Sequence, residues 1–200
     1  MDIIIKQLGK KYGKEWIFKD LETKIKTGAR LSLTGVNGSG KSTLIKILSN
    51  YLSPSRGTVS YINPSQSDEP QLKFNFVAPY LNLIEELTVQ ELLLFHSKFK
   101  NPLIPIEQML IENGLQNAQK KPIHELSSGM KQRLKLTLSF FYDCDILFLD
   151  EPTTNLDEKG VEWYHSLIQR IDKMTTIIVA SNQKHEYNFC SNNINLANYK

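Results

Sequence analysis

Cysteine is almost missing from this chain: Cys144 and Cys190 are the only two among 200 residues. Two thiols cannot build a disulfide framework, and these two are not spaced as metal ligands, so burial rather than covalent stapling must hold the fold. Both read as ordinary, mostly buried thiols of a reducing compartment. Long apolar runs are missing as well. No stretch approaches the roughly 20 residues that cross a bilayer. The opening "MDIIIKQLGKKYGK" has neither the apolar core nor the cleavage site of a secretion signal. A soluble, cytoplasmic chain is therefore expected. A strong charge of one sign is absent too, since 24 Lys and Arg against 21 Asp and Glu leave a net +3. That balance predicts no whole-chain pull toward nucleic acid or anionic lipid. Internal repeats and low-complexity linkers are also lacking.

What is present is an ordinary globular balance, 40% hydrophobic and 22% charged, which allows a full core. Strand patterns lie at residues 2–7, 29–35, 58–62, 73–78, 145–150 and 175–181. Two of them, "ILFL" and "TIIVA", are short continuous apolar runs, as expected for strands covered on both faces of a parallel sheet. Helix patterns begin at Gly40, Thr88, Ile106, Ser127 and Asp157. Between Ala78 and Asp145 the pattern is wholly helical, so an inserted helical block at about residues 80–140 is expected within an α/β domain. "NPLIP" (101–105) separates two of its helices, because proline cannot continue the hydrogen-bond ladder.

"GVNGSGKST", Gly35 to Thr43, matches the phosphate-loop spacing G-x-x-x-x-G-K-[ST] between a strand and a helix. Gly38 and Gly40 let the backbone bend so that the N–H groups of Asn37, Ser39 and their neighbours turn inward, toward phosphate oxygens. The following helix adds the positive end of its dipole. Lys41 is expected between the β and γ phosphates, with the Ser42 hydroxyl at a Mg²⁺ position and Thr43 beside it. The alternative is a glycine- and serine-rich turn that happens to enter a helix. "ILFLDEP" (146–152) places two carboxylates at the carboxyl end of a buried strand, where ligands of such sheets bind. Asp150 is expected to hold Mg²⁺ and Glu151 to orient and deprotonate the attacking water.

"ELSSGMKQR" (125–133) then sets Ser127, Ser128 and Gly129 in front of a helix, about twenty residues before "ILFLDEPTTNLD". As residues alone, the serines are a helix cap. The ordered set of motifs resembles the nucleotide-binding subunit of an ATP-binding cassette transporter, from Tyr12 to about Asn182. The resemblance implies one cassette domain over 1–200. Its fold class is α/β: a P-loop NTPase core with a mostly parallel central sheet, N-terminal antiparallel β elements and the inserted helical subdomain. It also implies ATP and Mg²⁺ as cofactors, a second cassette and a separate integral membrane permease as partners, and no nucleic acid. The chain would then sit at the cytoplasmic face of a membrane. In that family two cassettes stack head to tail, and the helix led by the signature serine closes over ATP on the other chain. Ser127 would be cap and phosphate ligand together, with Gly129 allowing close approach. Tyr12, or less well Trp16, would stack on adenine, and Asp157 would lie in the loop that crosses to the partner.

Three positions depart from the family pattern. Tyr80 stands where a glutamine is usual after the proline of "FVAPYLN", and Asn182 stands where a histidine meets the γ-phosphate. Asparagine can donate to a phosphate oxygen but cannot carry the proton that histidine can. His185 lies three residues further on, past the strand. The third departure is "SSGM", in which a positive φ at Ser128 would be strained. With Glu151 and Lys41 present, slow ATP hydrolysis is expected. Little sequence follows the last strand pattern, which favours an exporter-like cassette. The alternatives are a regulatory cassette with weak hydrolysis, or a soluble cassette ATPase acting on ribosomes or DNA.

Overall fold

The computed structural model describes residues 1–62 and 73–200. In chain order the strands are β1 (Asp2–Tyr12), β2 (Glu15–Ile25), β3 (Arg30–Thr34), β4 (Arg56–Ile62), β5 (Phe74–Val77), β6 (Ile146–Asp150), β7 (Thr176–Ala180) and β8 (Asn192–Asn195). The α-helices are α1 (Lys41–Leu48), α2 (Val89–His96), α3 (Ile106–Glu112), α4 (Ser128–Phe140), α5 (Glu158–Arg170) and α6 (Lys184–Tyr187). They group into two compact units. One holds Met1–Phe74, Asp145–Glu151 and Asp172–Lys200; the other holds Asn75–Cys144 and Pro152–Ile171.

In the first unit β2, β1 and β4 form an antiparallel sheet in that order. β1 buries Ile3, Ile5 and Leu8. The step from Ile5 to Leu8 breaks the alternation, and the ladder bulges there on both sides. Gln7 bends to φ 45° at the bulge. Gly57 faces it so closely that a Cβ would lie 2.3 Å from the Gln7 carbonyl oxygen, so only glycine fits. β2 was not foreseen. Its buried residues Phe18, Leu21 and Ile25 fall three and four apart, because a second irregularity and Asp20 at φ 54° interrupt a period of two.

The central sheet runs β5, β6, β7, β3, β8, and the β6–β7, β7–β3 and β3–β8 pairs are parallel. All five residues of β6 and of β7 are buried, as their apolar runs predict. α1 packs Leu44, Ile45, Ile47 and Leu48 onto this sheet. β8, "NNIN", also escaped the sequence pattern. It is an edge strand held by backbone pairing to β3 and by the Asn193 amide, which donates to Ser32 Oγ at 2.9 Å and Thr34 Oγ1 at 3.0 Å.

The second unit is helical, as the sequence between Ala78 and Asp145 implies, and it also takes in α5. Thr88 and Glu91 form a capping box at the start of α2, with the Glu91 carboxylate accepting from the Thr88 N–H at 2.8 Å. Asn75 is buried and its amide donates to the Ser139 and Tyr142 carbonyls, each at 2.8 Å. Phe140 of α4 meets Tyr164 of α5 edge to face at 6.2 Å between ring centres. The two cysteines are half-buried rather than buried. Burial pushes the Cys190 thiol up to about 12, so it is inert as a nucleophile at neutral pH.

Candidate functional site

Three of the loop's glycines take positive φ: Gly35 at 135°, Gly38 at 78° and Gly40 at 100°. At Gly40 the constraint is also spatial, since a Cβ would lie 2.6 Å from Ile17 Cγ2 and 3.1 Å from Phe18 Cδ1. The loop is thereby pressed against β2. Lys41 leads α1 and is only 7% exposed. Its ammonium donates back to the Gly35 carbonyl at 2.8 Å and lies 3.4 Å from that of Val36. Burial lowers its pKa, while Glu151 and Asp150 pull it the other way.

A cavity of about 390 Å³ opens over the loop, lined by Ile17, Asn37, Gly38, Gly40, Lys41, Ser42, Thr43 and Glu151. Seven of these residues are among those the sequence singles out, drawn from the loop, α1 and the end of β6. Ile17 is the addition. Its signal was the "WIF" run of β2: with Phe18 buried, Ile17 faces the other way. Gly35, Ser39 and Tyr12 stand outside the lining. Ser39 is fully buried, and its hydroxyl has no hydrogen-bond partner among the described residues. Tyr12 ends β1 at 54% exposure with the Lys10 ammonium 5.3 Å above its ring. Trp16 pairs in the same way with Lys11.

Asp150 ends β6, only 2% exposed. Glu151 follows at φ 47°, a strained conformation for a residue with a side chain, and its N–H donates to the Ala180 carbonyl at 3.0 Å. Asn182, just past β7, donates its amide to Asn37 Oδ1 at 2.8 Å, so it reaches the phosphate loop itself. His185 lies on α6, beyond the strand.

The cavity suits a nucleoside triphosphate. Its volume falls within the range of small-molecule sites, roughly 300–1,000 Å³. Its floor is loop backbone whose glycines take positive φ, and its buried ammonium donates to the Gly35 carbonyl of that same loop while feeling the charges of Glu151 and Asp150. Among the described residues no group of three or more His, Cys, Asp or Glu could hold a metal ion. A Mg²⁺ here would therefore draw most of its oxygens from phosphate and water, with Ser42 and Asp150 the protein groups available, which is usual for this cation.

In the helical unit, Ser127 caps α4: its Oγ accepts from the Met130 N–H at 3.3 Å. Ser128 is not among the residues at positive φ, so the strain considered for it does not arise. At Gly129 a Cβ would lie 3.0 Å from the Asn155 carbonyl oxygen. Asp157 caps α5 by accepting from the Gly160 N–H at 2.8 Å, and it also pairs with Arg133 at 3.2 Å. Tyr80 is 40% exposed, its ring tilted against Phe76 at 6.2 Å.

The sequence profile of the family described as "ABC transporter" matches residues 18–154. The chain belongs to the ABC transporter family. It is 32% identical to a probable metal transport system ATP-binding protein of Treponema pallidum, over 83% of this chain and 68% of that protein. It is 33% identical to a Nod factor export ATP-binding protein of Burkholderia orbicola, over 79% of this chain and only 55% of that one. Among solved structures, a dimeric ATP-binding cassette in a post-hydrolysis state with ADP and Pi superposes with a TM-score of 0.80. The match is at 25% identity over 96% of this chain and 93% of that one. This ABC cassette is thus an ATPase by family, with a P-loop core, a parallel central sheet and antiparallel N-terminal strands.

Proposed function

We propose that this ABC cassette binds Mg-ATP in the cavity over Gly35–Thr43 and hydrolyses it as the energy-supplying subunit of a transporter. It would pair with a second cassette and drive a separate membrane permease from the cytoplasmic face. Residues 1–200 act as one cassette domain in this reading. The observation that carries it is the convergence of Lys41, Ser42 and Glu151 on one cavity, although Glu151 lies more than a hundred residues from the loop. No helix among the described residues is long and apolar enough to cross a membrane; in this reading a separate permease carries the transport path. Cargo and direction are that chain's properties, because an ATP-holding cassette touches neither.

In this reading the loop N–H groups and Lys41 hold the phosphates, Tyr12 stacks on adenine and Ile17 supplies an apolar wall. Ser42 and Asp150 would hold Mg²⁺, which offsets phosphate charge when bound. Glu151 takes the proton of the attacking water. Ser127 and Gly129 face the nucleotide of the second cassette, with Asp157 in the crossing loop. Asn182 steadies the γ-phosphate by a hydrogen bond without a charge, so turnover is slow. A regulatory cassette is the second reading, favoured by Tyr80 and by the Asn182–Asn37 bond. Glu151→Gln is expected to abolish turnover while ATP still binds. An unchanged rate would remove Glu151 as the base, and a folded wild type with no affinity for Mg-ATP would end the proposal.

A further inference from the structure

The helical unit has a cavity of its own, and the run "MKQRLKL" (130–136) gives it a charge. Lys131 and Lys135 stand i, i+4 on α4, so they share one helix face and repel each other. Both line a cavity of about 130 Å³, together with Ser128 of the same helix, Asn82, Glu85 and Asn155. Every residue of that lining lies within the helical unit. None of them lines the phosphate cradle.

The two ammoniums are answered unequally. Lys131 donates to the Glu85 carboxylate at 2.6 Å. Lys135 reaches the carbonyls of Ala78 and Pro79, each at 3.3 Å, longer than is usual for such a bond. Among the described residues it pairs with no carboxylate. Burial first and the charge of Lys131 second lower its pKa, and no acid opposes them. His124 is a further basic group near Glu85. The cavity therefore holds two lysines against a single carboxylate, and a half-buried ammonium without a counter-charge is costly unless an anion answers it.

Size decides the class of that anion. A water molecule takes roughly 30 Å³ of liquid, so the cavity has room for only a few waters' worth of ligand. It falls well below the roughly 300 Å³ at which sites for larger ligands begin, and a whole nucleotide is too big for it. A tetrahedral oxyanion fits. It can meet both lysines while its remaining oxygens accept from the side-chain amides of Asn82 and Asn155 and from the Ser128 hydroxyl. Lys135 can take part because an ammonium keeps an N–H beyond those it gives to the two carbonyls. We propose that this cavity of the helical unit binds a small oxyanion of the phosphate class, held by Lys135 and Lys131 between the polar walls of Ser128, Asn82 and Asn155. Glu85 then competes with the oxyanion for Lys131. The inference stands apart from the ATPase reading above.

The test titrates inorganic phosphate into the isotope-labelled full chain, with chloride holding the ionic strength constant, and follows the backbone amide signals residue by residue. Saturable shifts are expected at Asn82, Ser128, Lys131 and Asn155. They are read separately from those of Gly38–Thr43, which report phosphate in the cradle. Lys135→Met keeps an unbranched stem and removes the charge, and should weaken binding at α4 about tenfold or more. Glu85→Gln, at an exposed position, removes the competing carboxylate and should tighten binding about threefold. That gain tests the site even if Lys135→Met fails to fold. Acetate, with a single charge and a planar carboxylate, should not saturate these amides over the same range. The site is overturned if phosphate moves only the cradle signals, or if folded Lys135→Met binds as wild type does. It is equally overturned if Glu85→Gln leaves the affinity unchanged or weaker, or if acetate saturates the same amides as phosphate.

Discussion

Asn182 occupies the place from which a side chain just past β7 meets the phosphate loop, and it does so as an amide. Its partner, Asn37 Oδ1, is a cavity-lining residue, so the bond crosses from β7 to the rim of the cradle. An amide has no proton to gain or lose near neutrality, and kcat should be flat across pH 6 to 8 as far as this position is concerned. Asn182→His is expected to raise turnover and to add a pH dependence near the usual imidazole range, about 6.5. The kcat profile against pH reads both. A fall in rate at every pH would mean that the cradle is built around the Asn37–Asn182 bond.

At the scale of one helix, the serine pair before α4 has a role as cap that is observed and a role toward phosphate that is proposed, and substitution can separate them. Ser127→Ala removes the acceptor for the Met130 N–H and should cost about 1 kcal/mol of stability. Ser127→Asp restores a good cap and adds a negative charge at the helix end. If Ser127 only caps, the aspartate variant behaves as wild type in both urea unfolding and ATPase assays. If it faces a phosphate, stability returns while turnover stays lost, because two anions then oppose each other. The second outcome is expected. Gly129 is read differently once the structure is in hand: its closest neighbour is the Asn155 carbonyl of its own chain, so its smallness serves internal packing whatever it does toward a ligand.

For the whole molecule, an acid-sensitive group is His96, the last residue of α2, which meets Tyr142 edge to face at 4.5 Å between ring centres. Burial, with help from the charge of Lys100, holds its pKa down at about 4. The unfolded chain takes up a proton near the ordinary value of 6.5, whereas the folded chain does so only near 4. Between those values the unfolded state binds more protons, so stability must rise with pH and fall as pH drops through that window. Urea midpoints measured from pH 7 to pH 4 should show this loss in the wild type. His96→Phe, which keeps the ring and removes the titration, should lose that part of the slope. An identical slope in both proteins would assign the acid sensitivity elsewhere.

The phosphate cradle, the two acids and the serine cap were legible because each is a local device. Glycines where φ is positive, a lysine and hydroxyl directly after them, and carboxylates after an apolar strand leave their mark within a few consecutive residues. The fully buried β6 and β7 were legible for a related reason, since strands covered on both faces carry unbroken apolar runs. β2 and β8 were not legible: a bulge shifted the first out of register with a period of two, and the second is an edge strand of asparagines held by pairing alone. The convergence of Ile17 with Lys41 and Glu151, the reach of Asn182 to Asn37, and that of Lys135 to the Ala78 carbonyl belong to the tertiary structure alone. They join residues distant in sequence, and two of the groups that matter most, the carbonyls of Ala180 and Ala78, are backbone atoms that every residue type carries and no sequence pattern can announce.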